Sequence, residues 1–187
     1  MINTDFIKNF NGLALPDKLV KLLVFENNLA KNEYYANGFE LIVEEKKYGL
    51  KTYSEDKQFL NSILEFAQAD GSGSTYGFWL RNGTQNLNEA PVVIFGSEGG
   101  CHVVAENIDG LLQILTYDAE PLVSWEDVNY YRDDEGYEPS PLSNNFADWL
   151  FENFMLGQSI DANRIVKKAQ AKYQGEFLVW LKKYYKG

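Results

Sequence analysis

The chain of 187 residues has the length of one domain, or of one domain with a helical appendage, and leaves no room for two independent enzymes. Its residues are 45% hydrophobic, 15% aromatic and 24% charged, which supplies a sizeable core and excludes a largely disordered or collagen-like chain. With 17 basic against 27 acidic residues the formal net charge is −10, so phosphates are repelled over most of the surface and a nucleic-acid partner is disfavoured.

The first clear helix opens at Leu15-Pro16-Asp17, because proline suits the first helical position and Asp17 complements the positive end of the dipole. Leu19, Leu22 and Leu23 form its apolar stripe. Phe39 to Val43 and Tyr48 to Tyr53 read as two strands joined by the charged turn Glu44-Glu45-Lys46-Lys47. Ser54 is placed to cap a second helix, on which Phe59, Leu60, Ile63, Leu64 and Ala67 recur at three- and four-residue spacing. Asp70-Gly71-Ser72-Gly73 ends that helix. Tyr76, Phe78 and Leu80 then alternate with Gly77, Trp79 and Arg81 as in a strand with two different faces. Pro91 precedes Val92 to Phe95, a run apolar on both faces that suits a central strand, and Gly96-Ser97-Glu98-Gly99-Gly100 turns the chain into Cys101 to Ala105. Asn107 is placed to cap a helix carrying Ile108, Leu111, Leu112 and Leu115. After Pro139-Ser140-Pro141 the remainder reads as helical. Phe146, Trp149, Leu150 and Phe154 share one face as far as Gly157; Asp161 caps the next piece, Gly175 interrupts it, and Phe177, Trp180, Leu181 and Tyr184 repeat at helical spacing. The order of elements predicts an α+β fold, a mostly antiparallel sheet packed with helices, with a helical C-terminal third. One domain is expected over 1–187, with a core at about 15–117, an acidic insert at 118–138 and a helical region at 143–187.

Charge is unevenly spread along this order. The insert holds eight acids, Asp118, Glu120, Glu126, Asp127, Asp133, Asp134, Glu135 and Glu138, against the single base Arg132, whereas residues 158–187 hold seven bases and two acids. Such a density of like charge marks a solvated loop or an interaction surface.

No run approaches the roughly 18 apolar residues of a membrane span, and Met1 to Phe10 lacks the basic-then-apolar order of a signal peptide. The single cysteine, Cys101, excludes an internal disulfide and a cysteine-based zinc cluster. A cytoplasmic protein without a membrane partner is the expectation.

Candidate chemistry is sparse. Gly71 to Gly77 follows a helix and leads into a strand, the reverse of the order that places pyrophosphate on a helix N-terminus, so it reads as a turn needing positive φ. Gly96 to Gly100 lacks a following Lys-Ser/Thr and reads as a hairpin turn. His102, the only histidine, has no second metal ligand at helical or hairpin spacing, and Cys101 points to the opposite face of the strand, so the two cannot act as nucleophile and base. Asp133-Asp134-Glu135 is the nearest approach to a hydrolytic carboxylate set, but an acid/base pair needs one carboxyl in a dry pocket. Glu98, between glycines, is placed to accept hydrogen bonds from neighbouring amides. No cofactor is expected.

Residues Phe66 to Trp79, then Pro91 to Gly99, then His102 to Asn107 leading into Leu111-Leu112, resemble the SUKH superfamily, which includes a fungal regulator of cell-wall glucan synthesis and many bacterial immunity proteins. The resemblance covers residues 66–115. It implies a non-enzymatic α+β sandwich of sheet and helices that binds and neutralises a toxin domain, often a nuclease. It implies fold and turn roles for Gly71, Gly73, Trp79, Pro91, Gly96 and Glu98. A nuclease face is basic, so clustered carboxylates can compete for it; the contact residues expected on this reading are Tyr130, Tyr131, Asp133, Asp134, Glu135, Tyr137 and Glu138, tyrosines among them adding hot-spot area. The alternatives are a regulator or scaffold of envelope synthesis and a carboxylate-dependent hydrolase.

Overall fold

A computed structural model describes residues 4–30, 33–42, 48–133 and 135–185. It shows an α+β fold built on an antiparallel meander of β1 (Glu40–Leu41), β2 (Ile63–Gln68), β3 (Thr75–Trp79), β4 (Val92–Phe95) and β5 (Cys101–Ala105), paired in chain order. Period-two alternation sends Leu64, Phe66, Tyr76, Phe78, Val92, Ile94 and Val104 to one face of the sheet and Ile63, Trp79, Val93, Phe95 and Val103 to the other. The first face is covered by α1 (Thr4–Lys8), α2 (Asp17–Asn28), α5 (Ile108–Leu115) and α6 (Ser143–Phe154). The second is covered by α3 (Tyr48–Tyr53), α4 (Lys57–Ser62) and the long α7 (Ala162–Leu181). Among the described residues no helix is long and apolar enough to cross a membrane.

Helix starts follow the expected caps at Asn107, which accepts from Gly110 N at 3.2 Å, and at Asp161, which accepts from Arg164 N at 3.1 Å. Four expectations differ. The helix expected to run on through Ala67 is capped by Asp56 instead of Ser54 and stops at Ser62. Ile63 to Ala67 are all buried in β2, and a strand covered on both faces carries an apolar run that cannot be told from a buried helix by period alone. Tyr48 to Tyr53 is helix, not strand: Leu50 and Tyr53, three residues apart, reach the same core. Of the other expected strand, Glu40–Leu41 pairs with β2 and Ile42 N donates to Phe66 O at 2.9 Å; Val43 and the turn 44–47 lie outside the described residues. Nor does Gly175 interrupt α7, which is continuous through it. Glycine there costs about 1 kcal/mol relative to alanine, and the adjoining Gln174, Glu176 and Phe177 all anchor the helix to the sheet side.

The acidic insert is not a loop throughout. Pro121–Val123 (β6) and Val128–Tyr130 (β7) pair antiparallel, with Leu122 opposite Asn129. Helix α7 holds both this hairpin and the sheet edge. Asn163 Oδ1 accepts from Tyr130 N at 2.8 Å while its Nδ2 donates to Tyr130 O at 2.9 Å; three turns on, Gln174 Oε1 accepts from Val103 N at 2.7 Å. One face of α7 thereby satisfies backbone groups that open strand edges would leave exposed.

Candidate functional site

Three connections meet at one end of the sheet. In the β2–β3 turn, Asp70 Oδ1 accepts from the backbone N–H of Ser72 at 2.9 Å, of Gly73 at 2.9 Å and of Ser74 at 3.0 Å, and from the Ser72 hydroxyl at 2.8 Å. Burial pushes the Asp70 carboxyl up, but the hydrogen bonds from Ser74 and Ser72 outweigh it and hold the group below the usual carboxylate range. Gly73 has φ 104°, which the tight wrap around Asp70 requires. The β4–β5 turn is closed by backbone bonds, Gly96 N to Gly100 O at 2.9 Å and Gly99 N to Gly96 O at 3.1 Å, not by Glu98, which is exposed. Ser97 joins the two turns: its N–H donates to Ser74 Oγ at 3.1 Å and its hydroxyl meets Ser72 Oγ at 2.7 Å.

The β6–β7 hairpin lies against both turns. Glu120 Oε1 accepts from Gly71 N at 3.2 Å. Trp125, at the hairpin tip, lies over Gly99, where a Cβ would collide with the indole, and stacks on Tyr185 with 6.2 Å between ring centroids. His102 Nε2 donates to Ser124 O at 2.8 Å, while Gln174 Nε2 donates to His102 Nδ1 at 3.2 Å; both ring nitrogens of the buried imidazole are committed. The hairpin and the turns enclose an open groove of about 560 Å³, lined by Asp70, Glu98, Glu120, Leu122, Asp127 and Asn129 among others. Among the described residues, four of its lining side chains are carboxylates and none is basic. Its rim carries exposed apolar groups, Leu122 at 61% and Trp125 at 62%.

The structure divides the expected contact residues. Tyr131 is 68% exposed, and Asp133, Glu135 and Glu138 are exposed. Tyr130 is 2% exposed, its hydroxyl 2.7 Å from that of Tyr76 in the core, and is unavailable to a partner. Tyr137 is half-buried and donates to Asp118 Oδ2 at 2.6 Å, with Arg132 4.2 Å over its ring. Asp134 lies outside the described residues. Asp118 itself is internal: it accepts from Asn37 N, Ser140 N, the Ser140 hydroxyl and the Tyr137 hydroxyl, all within 2.6–2.8 Å. Part of the insert's acidity is therefore spent inside the fold.

Gly71, Gly73, Gly96 and Glu98 belong to the turns that border the groove, whereas Trp79 and Pro91 do not line it. Trp79 is buried against Phe177 and Trp180 of α7. Leu122, Trp125 and Asn129 were not singled out in the sequence, and Asp127 stood there only as one of the insert's eight acids. Their signal was two short apolar runs, Pro121-Leu122-Val123 and Val128-Asn129-Tyr130, around a polar turn, a hairpin pattern hidden beneath the charge count.

Burial pushes the Cys101 thiol up to about 12, so it is not a thiolate nucleophile at neutral pH. Among the described residues no group of three or more His, Cys, Asp or Glu side chains is placed to hold a metal ion. A second cavity, of about 320 Å³, is lined by Glu26, Glu33, Tyr35 and Glu40. There burial raises the Glu26 carboxyl to about 7 although the Tyr35 hydroxyl donates to it at 2.8 Å.

Comparison of the chain with family models finds no match, and neither curated proteins nor solved structures match it.

Proposed function

We propose that the chain is a non-catalytic, cytoplasmic protein-binding module of the immunity type, which neutralises a toxin domain by direct contact. The observation that carries this reading is the groove: the turns that resemble the SUKH pattern and the acidic insert, far apart in sequence, form one surface with Glu98, Glu120 and Asp127 over the buried Asp70 and exposed Leu122 and Trp125 beside them. Such a surface attracts a basic partner over distance and offers apolar anchors at contact. The toxic product of a neighbouring gene, a nuclease being the chemistry that fits best, is the partner of this reading. Co-expression tests it: the chain restores growth of cells producing that toxin. Absence of rescue, with no complex between the two purified proteins, overturns it.

The cavity at Glu26 favours one second reading, carboxylate-dependent hydrolysis, because a carboxyl protonated near neutrality beside Glu33 and Glu40 has the makings of an acid/base set. Hydrolysis of glycoside or phosphodiester substrates that is lost in Glu26→Gln would establish it.

A further inference from the structure

Resting on the binding-module reading, we propose that the docking site is the outer face of the β6–β7 hairpin with the groove beside it, and that its occupant is an arginine-bearing loop of a partner protein. The hairpin has two faces and only one is used internally. Val128 and Tyr130 are buried in the core, while Leu122 and its cross-strand neighbour Asn129 face outward, flanked by Trp125 and Tyr131. Leu122, Trp125 and Tyr131, each 61–68% exposed, thus stand on or beside one short hairpin.

Charge complementarity identifies the occupant. Glu98, Glu120 and Asp127 line the groove over the buried Asp70, with no base among the described lining residues. Asp70 and Glu120 are already fixed by hydrogen bonds from the 71–74 backbone, so little side-chain ordering remains to be lost on binding. A guanidinium suits this lining better than an ammonium: it forms paired bonds to carboxylates and stacks on aromatic rings such as those of Trp125 and Tyr131. The groove volume of about 560 Å³ accommodates a few side chains of such a loop.

The test uses the full chain and a labelled peptide alternating arginine with leucine, with lysine and glutamate versions beside it, followed by fluorescence anisotropy at low salt. The arginine peptide is expected to bind more tightly than the lysine peptide and the glutamate peptide not at all. Glu98→Lys and Leu122→Ser should each weaken binding about tenfold, with unchanged thermal midpoints. Glu152→Lys on α6, an equal change of charge outside the groove, should leave it within about twofold. Hydrogen exchange should show protection over 121–131 and 70–74. Equal weakening by Glu98→Lys and Glu152→Lys, or protection confined to other segments, would overturn the assignment. The two proposals fail separately. If Glu98→Lys and Leu122→Ser rescue cells as well as the unaltered chain, the surface is wrong and the immunity reading stands; if the unaltered chain never rescues while the peptide maps to the hairpin, the reverse holds.

Discussion

The hydroxyls of Tyr76 and Tyr130 meet at 2.7 Å in the interior, each ring fully buried, and so bolt the central strand β3 to the hairpin at the heart of the acidic insert. Burial raises both phenols well above their ordinary range, so the pair stays neutral and each oxygen depends on the other. This bond makes the insert part of the fold and not an appendage.

Tyr130→Phe should therefore destabilise the protein by about 1–3 kcal/mol, because it leaves the Tyr76 hydroxyl buried without its partner. Replacing both tyrosines should cost less than the sum of the single changes. A double-mutant cycle from urea unfolding reads the coupling directly.

Asp118 ties the 37 turn, Tyr137 and Ser140 together. Asp118→Ala orphans four donors at once, and a loss of roughly 3 kcal/mol or more is expected from equilibrium unfolding. Asp118→Asn should lose less, since it retains an acceptor and asparagine tolerates the positive φ of 56° found there.

The Glu26 carboxyl, raised by burial to about 7 from 4.5, makes stability depend on pH. The folded state binds the proton more tightly than the unfolded state, so Glu26's contribution is most favourable below pH 4.5, declines as pH rises from there to about 7, and is flat beyond. The groups that face it are Tyr35, Glu33 and Glu40. Glu26→Gln keeps an acceptor for the Tyr35 hydroxyl, so the variant is expected to be more stable than the unaltered protein at pH 8 and to lose this slope. Thermal midpoints across that range decide it.

Gln174 serves the β5 edge and His102 together. Gln174→Leu leaves Val103 N–H without its acceptor, at a cost of about 1–3 kcal/mol. The sharper readout is hydrogen exchange, in which the Val103 amide should lose protection ahead of its neighbours on β4.

Where the chain announces its own geometry, the sequence is sufficient. Pro16-Asp17, Asn107 and Asp161 open helices by satisfying or omitting terminal N–H groups, Gly96 to Gly100 turns a hairpin, and the alternation in 76–79 and the continuous apolar run in 92–95 build the middle of an antiparallel sheet in an α+β fold. These are local rules, acting over a few residues. Tertiary structure decided the rest. Ile63 to Ala67 became a strand because both its faces are covered, and Gly175 stays helical because α7 is held to the sheet on either side of it. The acidic insert illustrates the same division: its density of charge is plain in sequence, but whether a carboxylate faces solvent or accepts four hydrogen bonds depends on which distant donors reach it. Asp118 and Tyr130 were drawn inward by partners more than 15 residues away, leaving Leu122, Trp125 and Tyr131 on the outside, because burial is settled by packing between elements and not by the residues adjacent in the chain.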